Sequence, residues 1–205
     1  RLTCRQCGAG PARLAGGAAV TELRIVRSRR KTLALQVLPT GEIVARAPLR
    51  LPERDIHAFA EQHAAWLEAA VARARAGSRA AQQAGILSET ELQRLRTAAR
   101  ADLTERVTRL AARMGVDFAR ITIRAQRTRW GSCSARGSLS FNCLLMLAPP
   151  EVREYVAVHE LCHRKQMNHS AAFWREVALW LPDYAAQRAW LREHGPALLG
   201  RLPKT

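Results

Sequence analysis

Nowhere in this chain of 205 residues does an apolar run approach the roughly 18 residues that a bilayer-spanning helix needs, so no membrane association is expected. Acidic residues are scarce. Seventeen Asp and Glu face 33 Lys and Arg, almost all of them Arg, and the net charge is +16. Cysteine is also sparse: the five are odd in number and widely scattered, which excludes a disulfide framework and points to a reducing, cytoplasmic setting. Cys4 and Cys7 form a C-x-x-C, but no second pair follows to complete a zinc ribbon. The opening residues combine no basic start with a long apolar stretch, so a secretory signal is not expected either. The surplus of positive charge would attract polyanions. Clusters such as Arg27, Arg29, Arg30 and Lys31 keep contact with nucleic acid open, although arginine can also simply solvate helix faces.

Residues 1–20 lack hydrophobic periodicity and read as a flexible tail. From Glu22 the pattern changes. Leu23 and Ile25, then Leu33, Leu35 and Val37, then Ile43 and Val44 alternate with polar residues around Pro39-Thr40-Gly41, predicting a small antiparallel β-meander. Ile56, Phe59, His63, Trp66, Leu67 and Val71 recur at helical spacing over about 53–76, and Gly77, Ser78 and Gly85 mark a linker. Residues 21–84 thus form an N-terminal part and 85–205 a second region. There, Ser88-Glu89-Thr90-Glu91 is a capping box opening a long helix that Gly115 can close. Ile121 and Ile123, then Ser138–Asn142, alternate at period two and read as strands separated by a Gly131–Gly137 turn region. Pro149-Pro150 suits a helix start. Helical segments follow at about 171–180 and 184–194, with Gly195 and Pro196 as the stop. The class implied is α+β, a small mixed or antiparallel sheet packed on helices.

The helix after Pro150 carries His159-Glu160-Leu161-Cys162-His163, an H-E-x-x-H. Residues four apart share one helix face about one turn apart. Both imidazoles can therefore reach a single zinc ion, with each Zn–N bond ~2.0–2.1 Å. Glu160 projects beside the pair, where it can serve a water on the ion as general base without ligating the metal. His169, six residues beyond His163, is the candidate third ligand. It requires the helix to end near Gln166–Asn168 and the chain to bend at Asn168. Glu176 on the next helix is the rival ligand, and Cys162 a weaker one. Three protein ligands with one open position are the catalytic pattern, whereas a closed fourth protein ligand would be structural.

Arg129-Trp130-Gly131-Ser132-Cys133, Leu139-Ser140-Phe141-Asn142, Tyr155-Val156, the H-E-x-x-H itself, Asn168-His169-Ser170 and Phe173-Trp174 together resemble the YgjP-like metallopeptidase family, itself related to SprT-like and WLM-type proteases. The resemblance covers about residues 22–195. It implies a zinc-dependent peptidase acting on peptide or protein substrates, with one Zn2+ per chain, His159, His163 and His169 as ligands and Glu160 catalytic. SprT-like and WLM proteins act on DNA-bound substrates, so a nucleic-acid-associated protease is a second reading. A non-enzymatic zinc-binding module is a third. Ser138–Asn142 is a candidate sheet edge for a substrate strand, with an ordinary interior strand as the equal alternative. Phe173, Trp174 and Trp180 read as packing that holds the His169 loop. Arg129 and Trp130 are candidates to line the cleft, Arg129 as an oxyanion stabiliser.

Overall fold

The computed structural model describes residues 12–13 and 22–203. The remainder of the expected tail, Cys4 and Cys7 included, lies outside the described residues. The chain divides into two units, 1–80 and 81–205. Its class is α+β, with six α-helices and two small mixed sheets among the described residues. Among the described residues no helix is long and apolar enough to cross a membrane.

The first unit holds β1 (Ala12–Arg13), β2 (Glu22–Ser28), β3 (Ala34–Val37) and β4 (Ile43–Pro48) in the order β1-β2-β4-β3. The expected meander is therefore corrected: β3 and β4 form an antiparallel hairpin, but β2 lies parallel to β4 on its far side. Composition explains the order. β4 is buried at every position except Arg46, and a near-continuous apolar strand needs neighbours on both sides. α1 (Glu53–Gln62) and α2 (Ala64–Ala84) follow, broken at His63. Leu23, Leu33, Leu35, Ile43, Ile56, Leu67 and Val71 make the core of this unit. The linker expected at Gly77-Ser78 is instead helix. One glycine costs only ~1 kcal/mol in a helix, and the alanines flanking it favour helix. The Ser78 hydroxyl also donates to the Pro39 carbonyl, tying α2 to the β3–β4 turn.

The second unit opens with α3 (Glu89–Met114), begun by the Ser88/Glu91 capping box and closed by Gly115 at φ 63°. Its buried stripe, Leu92, Ala99, Leu103, Val107, Leu110 and Met114, supports the rest of the unit. β5 (Arg120–Arg124), β6 (Gly131–Cys133) and β7 (Ser138–Asn142) form a sheet in the order β5-β7-β6. One expectation fails here, and one open alternative is decided. The Gly131–Gly137 turn region contains a strand, because Gly131–Cys133 hairpins back antiparallel onto β7. Ser138–Asn142 is therefore the middle strand rather than an edge. β7 carries the fully buried Leu139 and Phe141, which belong at the centre of a sheet whose inner face meets the core.

A 3-10 turn (Cys143–Leu147) leads into α4 (Pro150–Cys162), with Pro149-Pro150 at its start as expected. α4 ends earlier than the Gln166–Asn168 foreseen. Arg164, Lys165 and Gln166 N–H groups close onto the Leu161 and Cys162 carbonyls, winding the chain away from the axis just after His163. α4 is held on α3 by a charged network in which Arg106 bridges Asp102 and Glu154, joined by Arg109 and Arg153. α5 (Ala171–Trp180) and α6 (Tyr184–Gly200) complete the unit. The stop expected at Gly195-Pro196 is passed through. Gly195 is buried against the Trp130 indole, where a Cβ would lie 3.2 Å from the ring, and Leu191 and Leu199 pack on the core. Packing on both sides of the proline outweighs the hydrogen bond it removes.

Asn142 links this scaffold to the loop before β6. Its side-chain amide donates to the Gln126 and Arg129 carbonyls at 2.7 and 3.0 Å and accepts from Leu144 N–H at 3.2 Å, all without solvent exposure. Replacing it with alanine removes the partner of the buried Leu144 N–H and two part-buried bonds to the Gln126 and Arg129 carbonyls. The expected outcome for Asn142→Ala is a loss of roughly 3 kcal/mol in urea unfolding, with m unchanged.

Candidate active site

His159 and His163 lie four residues apart at the C-terminal end of α4, so their rings leave the same face of the helix, with centroids 5.1 Å apart. The turn after Cys162 then brings back His169, whose ring centroid is 5.0 Å from His159 and 4.8 Å from His163. One ring nitrogen from each of the three histidines falls within a group no wider than 4.8 Å. The Nε2 atoms of His159 and His169 are 3.0 Å apart. Asn168 contributes to the bend as foreseen, its side-chain oxygen accepting from Ser170 N–H at 3.2 Å. Ser170 then caps α5 by accepting from Phe173 N–H.

One side chain supports all three rings. Phe173, on the first turn of α5, is fully buried and has its centroid 4.9 Å from His159, 4.5 Å from His163 and 4.8 Å from His169. Trp174 flanks His159 and His169 at 5.8 Å and stacks on Tyr184, which stacks in turn on Tyr155. The packing role read for Phe173 and Trp174 is thus what their contacts describe. Trp180 sits apart, donating to Glu176 at 3.0 Å.

This set of donors fits a divalent cation. Burial, then the neighbouring His163 and His169, push His159 down to about 3, so its imidazole stays neutral with a lone pair to give. Burial also lowers His163, against the opposing pull of the Gln166 carbonyl. That carbonyl sits 3.0 Å from His163 Nδ1 and holds the proton there, which leaves Nε2 free as a ligand. His163 is buried, His159 half-buried and His169 exposed, so the group opens to solvent on one side. The rival donors lie elsewhere. The Glu176 carboxylate is engaged by Lys165 at 2.6 Å and by Trp180. The Cys162 thiol is fully buried and pushed up to about 12 by burial, so it stays protonated.

Glu160 turns from α4 toward β6, buried at 5 % exposure. Burial raises it to about 8, against the lowering pull of Arg129. A cation beside it would favour the ionised form again. The space it occupies exists because residue 131 has no side chain: a Cβ there would lie 2.5 Å from Glu160 Oε1. That constraint was missed in reading the sequence, although the glycine itself stood in view within Arg-Trp-Gly-Ser-Cys. Arg129 is exposed and lines, with Ser132, a cleft whose wall includes neither Glu160 nor the histidines. Trp130 does not line the cleft; it packs half-buried against the core and Gly195.

A family model, the YgjP-like metallopeptidase domain, matches residues 87–194. That is more than half of the chain and contains every residue of this site. The chain belongs to the YgjP-like metallopeptidase family. Similar solved structures include the metallopeptidase zymogen of Pyrococcus abyssi abylysin, at 21% identity over 43% of this chain and 90% of that one, with a TM-score of 0.41. The Methanocaldococcus jannaschii jannalysin zymogen is similar at 18% identity over 43% and 94%, with a TM-score of 0.38. No curated protein matches the chain.

Gly131→Ala is expected to displace the Glu160 carboxylate while leaving the three histidines in place. Metal analysis should find the wild-type metal content in the variant, with peptidase activity down by at least about tenfold.

Proposed function

We propose that the chain is a zinc-dependent metallopeptidase hydrolysing peptide bonds, in which His159, His163 and His169 hold one Zn2+ per chain and Glu160 is the general base. The observation that carries this reading is the convergence of three imidazoles within 4.8 Å, beside a buried carboxylate on the same helix as two of them. Three ligands from the protein would leave a coordination position open, as catalytic zinc sites do. A zinc ion held there would polarise the scissile carbonyl and lower the pKa of a water in the open position.

The residues of the chain would do the rest. Glu160 takes the proton as water attacks the carbonyl carbon, then returns it to the leaving nitrogen as the C–N bond breaks. Its burial favours both steps, since a carboxylate pushed toward neutral pH can accept and release a proton with little penalty. Gln166 keeps His163 in the tautomer that ligates through Nε2. Phe173 screens the inner side of the three rings from water. A structural zinc module would have no use for a carboxylate held in a space cleared by a glycine, which disfavours the non-enzymatic alternative. Of the basic cluster near residue 27, Arg27 donates to the Leu51 carbonyl at 3.0 Å and to Glu53, so it is partly engaged within its own unit.

Two variants separate binding from chemistry. Glu160→Gln should keep one zinc per chain by metal analysis yet lose hydrolysis of an unfolded polypeptide by roughly 10²–10⁴-fold. His169→Ala should fall well below one zinc per chain after dialysis against a weak chelator. Full activity in Glu160→Gln, or full zinc in His169→Ala, would overturn the assignment.

A further inference from the structure

The alternation of the three-stranded sheet sorts its side chains. Ile121, Ile123, Leu139 and Phe141 face the core, and Leu139 and Phe141 are fully buried there. The opposite face carries Arg120, Thr122 and Arg124 from β5, Ser138 and Ser140 from β7, and Ser132 from β6. Register sets these side by side: Arg120 pairs with Ser138, Thr122 with Ser140, and Ser140 with Ser132. With Arg129 they line a cleft of about 350 Å³ that has no acidic residue in its wall.

Three features mark this cleft. Arg120, Arg124 and Arg129 make no ion pair among the described residues, a state they share with Arg94, Arg100 and Arg113 of the same unit, but the first three gather in one cleft. Ser140 Oγ is sealed from solvent with no hydrogen-bond partner, an uncommon state for a buried hydroxyl. Finally, the cleft adjoins the site. Ser132 lines it, while its neighbour Gly131 abuts Glu160 on the other face of the same strand.

We infer that this cleft is a subsite for a carboxylate side chain of the peptide substrate, an inference that rests on the peptidase reading above. Among the described residues β6 pairs with β7 alone and so lies at the edge of the sheet, where a strand could be added. A peptide extended along that edge would send alternate side chains to the two faces of the sheet. Those on the Ser132 face meet arginine forks and the hydroxyls of Thr122, Ser132 and Ser138, which recognise a carboxylate by paired, charge-assisted hydrogen bonds. Duplex nucleic acid presents a charge about every 1.7 Å of axis and is held along a basic stripe. A cleft of about 350 Å³, on the sheet face opposite the one that Glu160 abuts, suits a single anionic side chain.

The test is equilibrium binding, which does not require turnover. Two fluorescent peptides, identical except that the glutamates of one are glutamines in the other, are titrated by anisotropy into zinc-loaded Glu160→Gln protein at low salt. The same is done in that background with Arg120→Gln and Arg124→Gln added. Both arginines are exposed, and circular dichroism checks that the fold is kept. The glutamate peptide should bind roughly tenfold or more tightly than its twin, and the arginine changes should erase that difference. Equal binding of the twins, or a preference that survives the arginine changes, overturns the subsite even if the enzyme proves to be an active peptidase. A 20-base-pair DNA duplex that displaces the glutamate peptide, and loses affinity in the same arginine variant, assigns the cleft to nucleic acid instead. Loss of the peptidase reading would show separately, as wild-type hydrolysis that does not depend on Glu160.

Discussion

Three imidazoles can share one cation only if each is neutral, each presents a nitrogen inward, and the rings neither collapse together nor swing out to solvent. In this chain the requirement falls largely on Phe173. Its ring touches all three histidines, stacking on His163 and meeting the other two edge-on. A phenyl ring offers no hydrogen bond to compete for the inward nitrogens, and it removes water from one side of each. Much of the surrounding structure serves to deliver it. α5 can begin only after the chain has turned back, so the tight winding after Cys162, the Asn168 side-chain turn and the Ser170 cap all precede Phe173 and aim it. The third histidine and the ring beneath it therefore come from one short segment and cannot be placed independently.

The carboxylate beside them depends on a different constraint, reached from the opposite direction. Glu160 is on α4, but its room is provided by β6, and β6 is positioned by Asn142 through the carbonyls of the preceding loop. One buried amide thus governs how closely a strand backbone approaches a helix, and a missing side chain on that strand sets where the acid can sit. The low polarity of that gap also carries Glu160 away from the usual carboxylate range.

Local signals were the legible part of the sequence. The Ser88–Glu91 box, Gly115, Pro149-Pro150 and the four-residue spacing of His159 and His163 each act within a turn or two of helix, and each appears in the structure as read. What escaped depends on partners distant in the chain. Strand order in the first sheet follows from which strand is buried on both sides, and alternation alone does not report that when the strand is short. Gly77 and Gly195-Pro196 look like breaks, yet alanine-rich flanks carry the helix past one and packing against Trp130 carries it past the other. The place of β7 just before the active helix leaves edge and interior strand equally open, and β6, three residues long and containing a glycine, resembles a turn rather than the strand that decides between them. The YgjP-like resemblance rested on motifs scattered from Arg129 to Trp174, and the structure gathers most of them around the histidines or at the strand beside them. The exception is Trp130, whose indole turns away to receive α6.

The closure between Leu87 and Arg201 has a temporal consequence. Leu87 N–H donates to the Arg201 carbonyl at 2.9 Å, and the Arg201 guanidinium reaches the Gly85 carbonyl, 116 residues back along the chain. A bond spanning that distance bears the full entropy of joining its ends and forms late unless the intervening chain has already condensed. During synthesis all three histidines and their supporting phenyl ring leave the ribosome before Arg201 does. The three histidines can thus come together before the contact between Leu87 and Arg201 closes.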